Sequence, residues 1–140
     1  MTRISKLSSL SREIAGLFRL SAGDARRTEG VFSEVVTKTG TEIVSQGSRS
    51  AQLILVLEGE VAVTRDGEQL AILGPGSVLG EITTLGIEQL QTATATMLSP
   101  GRLAAAPAQD LPKLRACTGL YLHLQHLASK RIAAAQLAQA

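Results

Sequence analysis

The sequence predicts an α+β fold that is mainly β: an antiparallel sandwich or barrel with short helices before it, a short helix interrupting it and a long helix after it. Three observations carry this expectation. Apolar residues recur at helical spacing up to Leu20, in short strand-like runs through the middle, and at helical spacing again from Asp110 onward. Glycines punctuate the middle section where the apolar runs stop. A Gly80-Glu81 step is followed by a helix-like stretch where a plain sandwich would continue with strands.

Residues 2–20, TRISKLSSLSREIAGLFRL, set Ile4, Leu7, Leu10, Ile14, Leu17 and Phe18 at helical intervals, with Ser8, Ser9 and Ser11 available as caps. One or two short amphipathic helices covering one end of a core follow from this pattern. Ser21 to Asp24 then breaks or re-caps the helix before a second short turn. From Val31 the period changes. Val35-Val36, Ile43-Val44, Leu53-Ile54-Leu55-Val56-Leu57, Val61 with Val63, and Leu70 with Ile72 are short aliphatic runs separated by Gly40, Gly47, Gly59, Gly67, Gly74 and Gly76. Asp66-Gly67, between VAVTR and EQLAIL, is a hairpin signal, because a type I′ turn needs positive φ at both central residues. ATATML and GRLAAAP supply two more strands near residue 100.

Residues 78–95, VLGEITTLGIEQLQTATA, read as a strand end, a short helix, a polar connection and a new strand. Gly80-Glu81 ahead of Ile82-Thr83-Thr84-Leu85 places a carboxylate and unpaired backbone N–H groups at a helix start, a geometry that suits an anion or a hydroxyl-rich ligand. This stretch is the candidate small-molecule site. The tail from Asp110 to Ala140 is helical, with Leu111, Leu114, Leu120, Leu124 and Leu127 as its apolar set and Thr118-Gly119 dividing a short helix from a long one. Leu and Ala on several faces of that last helix predict a homodimer through residues 118–138, with Leu120, Leu124 and Leu127 in the seam. Packing back on the chain's own sheets is the alternative.

Composition bounds the function. A chain of 140 residues that is 44% hydrophobic forms one domain that needs neither metal nor disulfide to fold. The net charge is +2, and the basic residues are scattered apart from Arg26-Arg27 and Lys130-Arg131, so direct nucleic-acid binding is not expected. With one cysteine, Cys117, no signal-peptide pattern and no long apolar run, a soluble cytoplasmic protein without a membrane segment is expected. Catalytic chemistry finds no foothold: Glu81 has no nucleophile or metal ligand beside it, and Cys117 has no activating neighbour. The only histidines, His123 and His126, lie on the terminal helix, far from where a metal-holding barrel would need them, so neither an enzyme nor a metal site is expected.

GTEIVSQGSRSAQLILVLEGEVAV at 40–63 and GPGSVLGEI at 74–82 resemble the cyclic nucleotide-binding domain family, found in bacterial cAMP-receptor transcription factors and the regulatory subunits of cAMP-dependent kinase. The similarity covers essentially the whole chain. It implies a β-roll or jelly-roll barrel at 30–107, with N-terminal helices at 1–29, a phosphate-binding cassette at 78–95 and C-terminal helices at 108–140. By resemblance, Gly80 lets the backbone approach the sugar, Glu81 accepts from the ribose 2′-hydroxyl, and backbone N–H groups from Ile82 and Thr83 onward face the cyclic phosphate. Thr92 and Ala93 match the small residues that close the cassette.

The departure is Gln91, which stands where the family places the arginine that pairs with the phosphate. A hydrogen bond to a charged group contributes ~1.5–3 kcal/mol, and each ~1.4 kcal/mol is tenfold in affinity. The resemblance therefore implies a regulatory module that binds cAMP or cGMP tens- to hundreds-fold more weakly, or takes another ligand, unless Arg49, Arg65 or another nearby cation substitutes. The alternative is a degenerate domain that keeps the fold as a dimerisation or protein-interaction unit.

Overall fold

The computed structural model describes residues 7–49, 52–80 and 90–139. Helix α1 (Ser9–Phe18) starts where the Ser8 hydroxyl accepts from the Ser11 N–H at 3.1 Å, and it stops at Arg19, whose φ of 54° is left-handed. The Glu29 carboxylate closes the same helix start, accepting from the Ser8 N–H at 2.9 Å, the Ser8 hydroxyl at 2.6 Å and the Ser11 hydroxyl. Helix α2 (Ala22–Arg27) is capped by Ser21, whose hydroxyl accepts from the Asp24 N–H, as the Ser-Ala-Gly-Asp pattern predicts.

Eight strands follow among the described residues: β1 (Ser33–Thr37), β2 (Glu42–Val44), β3 (Gln52–Glu58), β4 (Val61–Arg65), β5 (Glu68–Leu73), β6 (Val78–Leu79), β7 (Thr94–Met97) and β8 (Gly101–Pro107). They form two antiparallel four-stranded sheets, ordered β1-β8-β3-β6 and β2-β7-β4-β5. The architecture is the expected mixed α+β fold with a β-roll, built from two facing sheets without a closed barrel. The Asp66-Gly67 turn joins β4 to β5 with φ values of 52° and 82°, both positive as the hairpin reading requires.

The unbroken run Leu53–Leu57 is explained by its place between two apolar layers. Leu53, Leu55 and Leu57 join Val78, Ala104 and Ala106 in packing against the helices, through Ile14, Leu114, Leu120 and Leu124. Ile54 and Val56 point the other way, to Val61, Ala95, Met97 and Leu103 between the sheets. A strand covered on both faces has no polar side to show, so its sequence cannot alternate.

A 3-10 turn (Ala108–Asp110) leads into α3 (Leu111–Ala116) and α4 (Thr118–Gln139), with the break at Cys117. The Asp24 carboxylate accepts from the Gly119 N–H at 2.8 Å and so fastens the start of α4 to α2. The buried Cys117 thiol donates to the Asp24 carbonyl at 3.4 Å, and burial, followed by the Asp24 charge, pushes its pKa up, which makes it an inert packing group. The leucines expected in a dimer seam, Leu120, Leu124 and Leu127, face the chain's own core instead. Leu120 and Leu124 are fully buried against the chain's own sheet, Ala128 lies with them one turn further on, and Leu127 packs at the edge of the same cluster. The stripe of residues four apart covers the roll, and Leu122, 57% exposed, is on a different face.

Arg102 of β8 ties α1 to the sheet. Its guanidinium donates to both Glu13 oxygens at 3.0 and 2.7 Å, to Glu34 of β1 at 2.9 Å and to Glu58 of β3 at 2.7 Å. These carboxylates, Glu13 foremost, hold the arginine above its already high pKa, while Arg102 holds Glu34 below the ordinary carboxylate value.

Candidate ligand site

The site begins where β6 ends. Val78 and Leu79 pair with Leu55 and Ile54, which brings Gly80 alongside the start of β3. Gly80 has φ 77°, and a Cβ built there would fall inside contact distance of the Gln52 carbonyl oxygen and 3.7 Å from Nε2 of Gln91. Two separate causes, handedness and close backbone approach, therefore demand glycine at this position.

Gln91 is buried, at 8% exposure, and is held by the loop that follows β2. Its N–H donates to the Ser48 carbonyl at 2.9 Å, and its carbonyl accepts from the Gly47 N–H at 2.8 Å, so the 47–48 segment and Gln91 extend the β2–β7 pairing by main-chain bonds. The Gln46 N–H donates to the Thr94 hydroxyl at 2.9 Å. The Gln46 side chain reaches the hairpin tip, donating to Asp66 Oδ1 and accepting from the Asp66 N–H, both at 2.9 Å. From that hairpin Arg65 returns, its Nε donating to the Thr92 carbonyl at 3.0 Å. Beside Gln91 lies a cavity of about 160 Å³ lined by Ile43, Val44, Ser45, Ser48, Gln52, Ile54 and Gln91. Its lining joins an apolar floor to hydroxyl and amide groups and contains no carboxylate among the described residues.

A model of the cyclic nucleotide-binding domain matches residues 34–116, more than half of the sequence. The chain belongs to the cyclic nucleotide-binding domain family. The crystal structure of the Thermus thermophilus catabolite activator protein is similar to it with a TM-score of 0.69 and 25% identity, over 99% of this chain and 62% of that one. The chain thus spans less than two-thirds of the length of the Thermus protein. A cyclic nucleotide-binding domain from Methylobacillus flagellatus shares the fold at a TM-score of 0.77 and 18% identity, over 89% and 79% of the two chains. The sensor domain of the transcriptional regulator DNR from Pseudomonas aeruginosa shares it at 0.69 and 21%, over 86% and 91%.

Of the residues expected at a cyclic nucleotide site, Gly80 and Gln91 are brought together, and Thr92 and Ala93 follow on the segment leading into β7. The Thr92 side chain is exposed and Ala93 half-buried. Glu81, Ile82 and Thr83, with the short helix expected after them, lie outside the described residues. Gln46, Gly47, Ser48 and Gln52 were not singled out for the site by sequence reasoning. Nothing local marks them, because their roles come from long-range pairing of 45–49 with 91–94. Arg65, named as a possible substitute cation, lies one residue from Gln91 through its bond to Thr92.

The other chemical candidates sit elsewhere. His123 and His126 are exposed on α4, and the His123 ring meets Phe18 of α1 edge-on with centroids 5.8 Å apart. Among the described residues no three His, Cys, Asp or Glu side chains gather around a metal position, and no helix is long and apolar enough to cross a membrane.

Proposed function

We propose that this domain is a non-catalytic, ligand-sensing regulatory module. Residues 1–140 act as one unit in which a cyclic nucleotide, cAMP or cGMP, or a related phosphate-bearing effector occupies the cleft beside Gly80 and Gln91. Glu81 takes the ribose hydroxyl, the backbone at Ile82 and Thr83 faces the phosphate, and Gln91, Thr92 and Ala93 close the site. The observation that carries this reading is the cavity itself, formed where the family's ligand segment meets β3 and the loop after β2, with hydroxyl and amide groups and no acid in its described wall. The output runs to α4, whose start is fastened to α2 by Asp24 and whose Leu120 and Leu124 rest on the same β3 that borders the cavity. A second copy of the chain meeting an exposed face of α4 is the partner that fits this output.

Gln91 favours a second reading, in which the ligand has been lost and the fold serves as an interaction unit. Calorimetric titration with cAMP and cGMP, run with melting curves on the wild type and Gln91→Arg, separates the two. In an open site the arginine strengthens binding by ~1.5–3 kcal/mol at unchanged stability, and Glu81→Ala then cancels most of that gain. No binding by either protein, with a lower melting temperature for Gln91→Arg, overturns the sensor reading, since the new charge then sits unpaired in a closed site.

A further inference from the structure

We propose that Arg65, on the β4–β5 hairpin, supplies the positive charge that position 91 lacks, so that the cleft takes an anionic, phosphate-bearing ligand clasped partly by the hairpin. This rests on reading the cleft as a nucleotide-type site and adds the residue that makes it selective for an anion.

The placement comes first. The Nε–H of Arg65 is anchored on the Thr92 carbonyl, in the peptide that joins Thr92 to Ala93, which holds the guanidinium one residue along the chain from the position the family gives to its arginine. An arginine has donors on three nitrogens, so the anchor leaves both terminal nitrogens for an anion in the fork geometry that suits a phosphate. Because one bond already holds the planar group, less side-chain freedom is lost when a ligand arrives.

The charge balance comes second. Arg65 makes no ion pair among the described residues. Among the described residues, Asp66 is turned to the Gln46 amide and Glu42 to the Ser45 hydroxyl. Glu68 stands opposite Arg65 across the hairpin without pairing to it. Arg65, partly exposed and in no ion pair among the described residues, is bonded one residue from Gln91, which lines the cavity together with Ser45, Ser48 and Gln52, so its charge is available to a ligand that reaches those hydrogen-bonding groups. Arg49 is the other arginine of this region, on the residue after Ser48, but it is exposed and has no anchor among the described residues. The hairpin is itself clasped to the loop by the paired bonds of Gln46 and Asp66, so Arg65 is presented from a supported element.

A double-mutant cycle on the whole chain tests this, with cAMP as the probe and melting curves as a check on folding. Wild type, Arg65→Gln, Arg65→Lys, Gln91→Arg and the Arg65→Gln/Gln91→Arg pair are titrated. Arg65→Gln is expected to weaken binding about ten- to a hundredfold, the loss of one charge-assisted contact. Arg65→Lys keeps the charge and most of the affinity, and Gln91→Arg restores binding in the Arg65→Gln background with a larger gain than it gives the wild type. Equal loss with Gln and Lys, without rescue from position 91, overturns the proposal and makes Arg65 a tether for the 92–94 segment. Cyclic nucleotide binding that is indifferent to Arg65→Gln, or that appears only in Gln91→Arg, also overturns it and leaves the sensor reading standing. Silence from every protein, Gln91→Arg included, overturns both.

Discussion

Gly80 is the position where a fold requirement coincides with the proposed ligand requirement, and Gly80→Ala measured without ligand reads the first by itself. With φ at 77°, an alanine there enters the left-handed region at a cost of ~1–2 kcal/mol. Its Cβ would also press on the Gln52 carbonyl, which belongs to the backbone of β3 and cannot swing aside as a flexible side chain would. Forcing an extra methyl into such a packed place costs a further ~1–3 kcal/mol. The combined loss of ~2–5 kcal/mol is a large share of the ~5–15 kcal/mol that holds a domain together. At roughly 4 °C per kcal/mol for a chain of this size, the melting temperature should fall by ~8–20 °C with no ligand present. Gly67→Ala is the matched control. Its φ is 82°, and nothing lies within 4 Å of a Cβ built there, so only the conformational cost of ~1–2 kcal/mol applies and the melting temperature drops by ~4–8 °C. Thermal and urea denaturation of both variants by circular dichroism reads the difference directly. Equal losses for Gly80→Ala and Gly67→Ala would refute the close approach to Gln52 as a structural constraint.

Further expectations follow from the helix packing and the caps. Leu124→Ala should cost ~2–5 kcal/mol by emptying a fully buried site, and Leu124→Glu should leave no folded roll, whereas Leu122→Glu should stay within ~0.5 kcal/mol. Light scattering on Leu122→Glu then tests whether that exposed face of α4 holds a second copy, and a folded Leu124→Glu protein would contradict the packing. Glu29 has a pKa lowered from its ordinary 4.5, chiefly by the Ser11 hydroxyl and then by Ser8. A depressed acid stabilises the fold above its unfolded-state pKa, and that contribution disappears as pH falls through the lower folded value. Glu29→Gln should therefore flatten the loss of stability below about pH 4.5, and an unchanged acid limb in the melting profile would count against this cap.

The parts of the fold written in local pattern were legible in the sequence. Asp66-Gly67 specifies its own turn, the Leu53–Leu57 run marks a strand, and Thr118-Gly119 marks the break between α3 and α4. Which face of α4 is covered was not legible, because Leu and Ala are spread around the helix and only contact with β3 selects the stripe of Leu120, Leu124 and Ala128. The same limit hid half of the site. Gln91 announced itself as a departure from the family pattern, but the bonds of Gly47 and Ser48 to it, and of Arg65 to Thr92, depend on the register between segments more than twenty residues apart, which no local signal sets.

This difference changes how the cassette residues should be weighed. An intact Gly80 invites the inference that the ligand site is intact, yet the contact with Gln52 requires glycine whether or not a nucleotide ever binds. A domain that had lost its ligand would keep Gly80 for the sake of β3 and β6. The discriminating positions are those the fold leaves free to vary. The Thr92 side chain is exposed, and Arg65 projects from the end of a hairpin strand where many residues would satisfy the β4–β5 pairing. An arginine in no ion pair among the described residues, bonded to the Thr92 carbonyl, has no comparable structural necessity, since Gln46 and Asp66 already clasp the hairpin to the loop. Arg65 therefore carries more weight than Gly80 in deciding between a working sensor and a retired one, and its substitution is the more informative experiment.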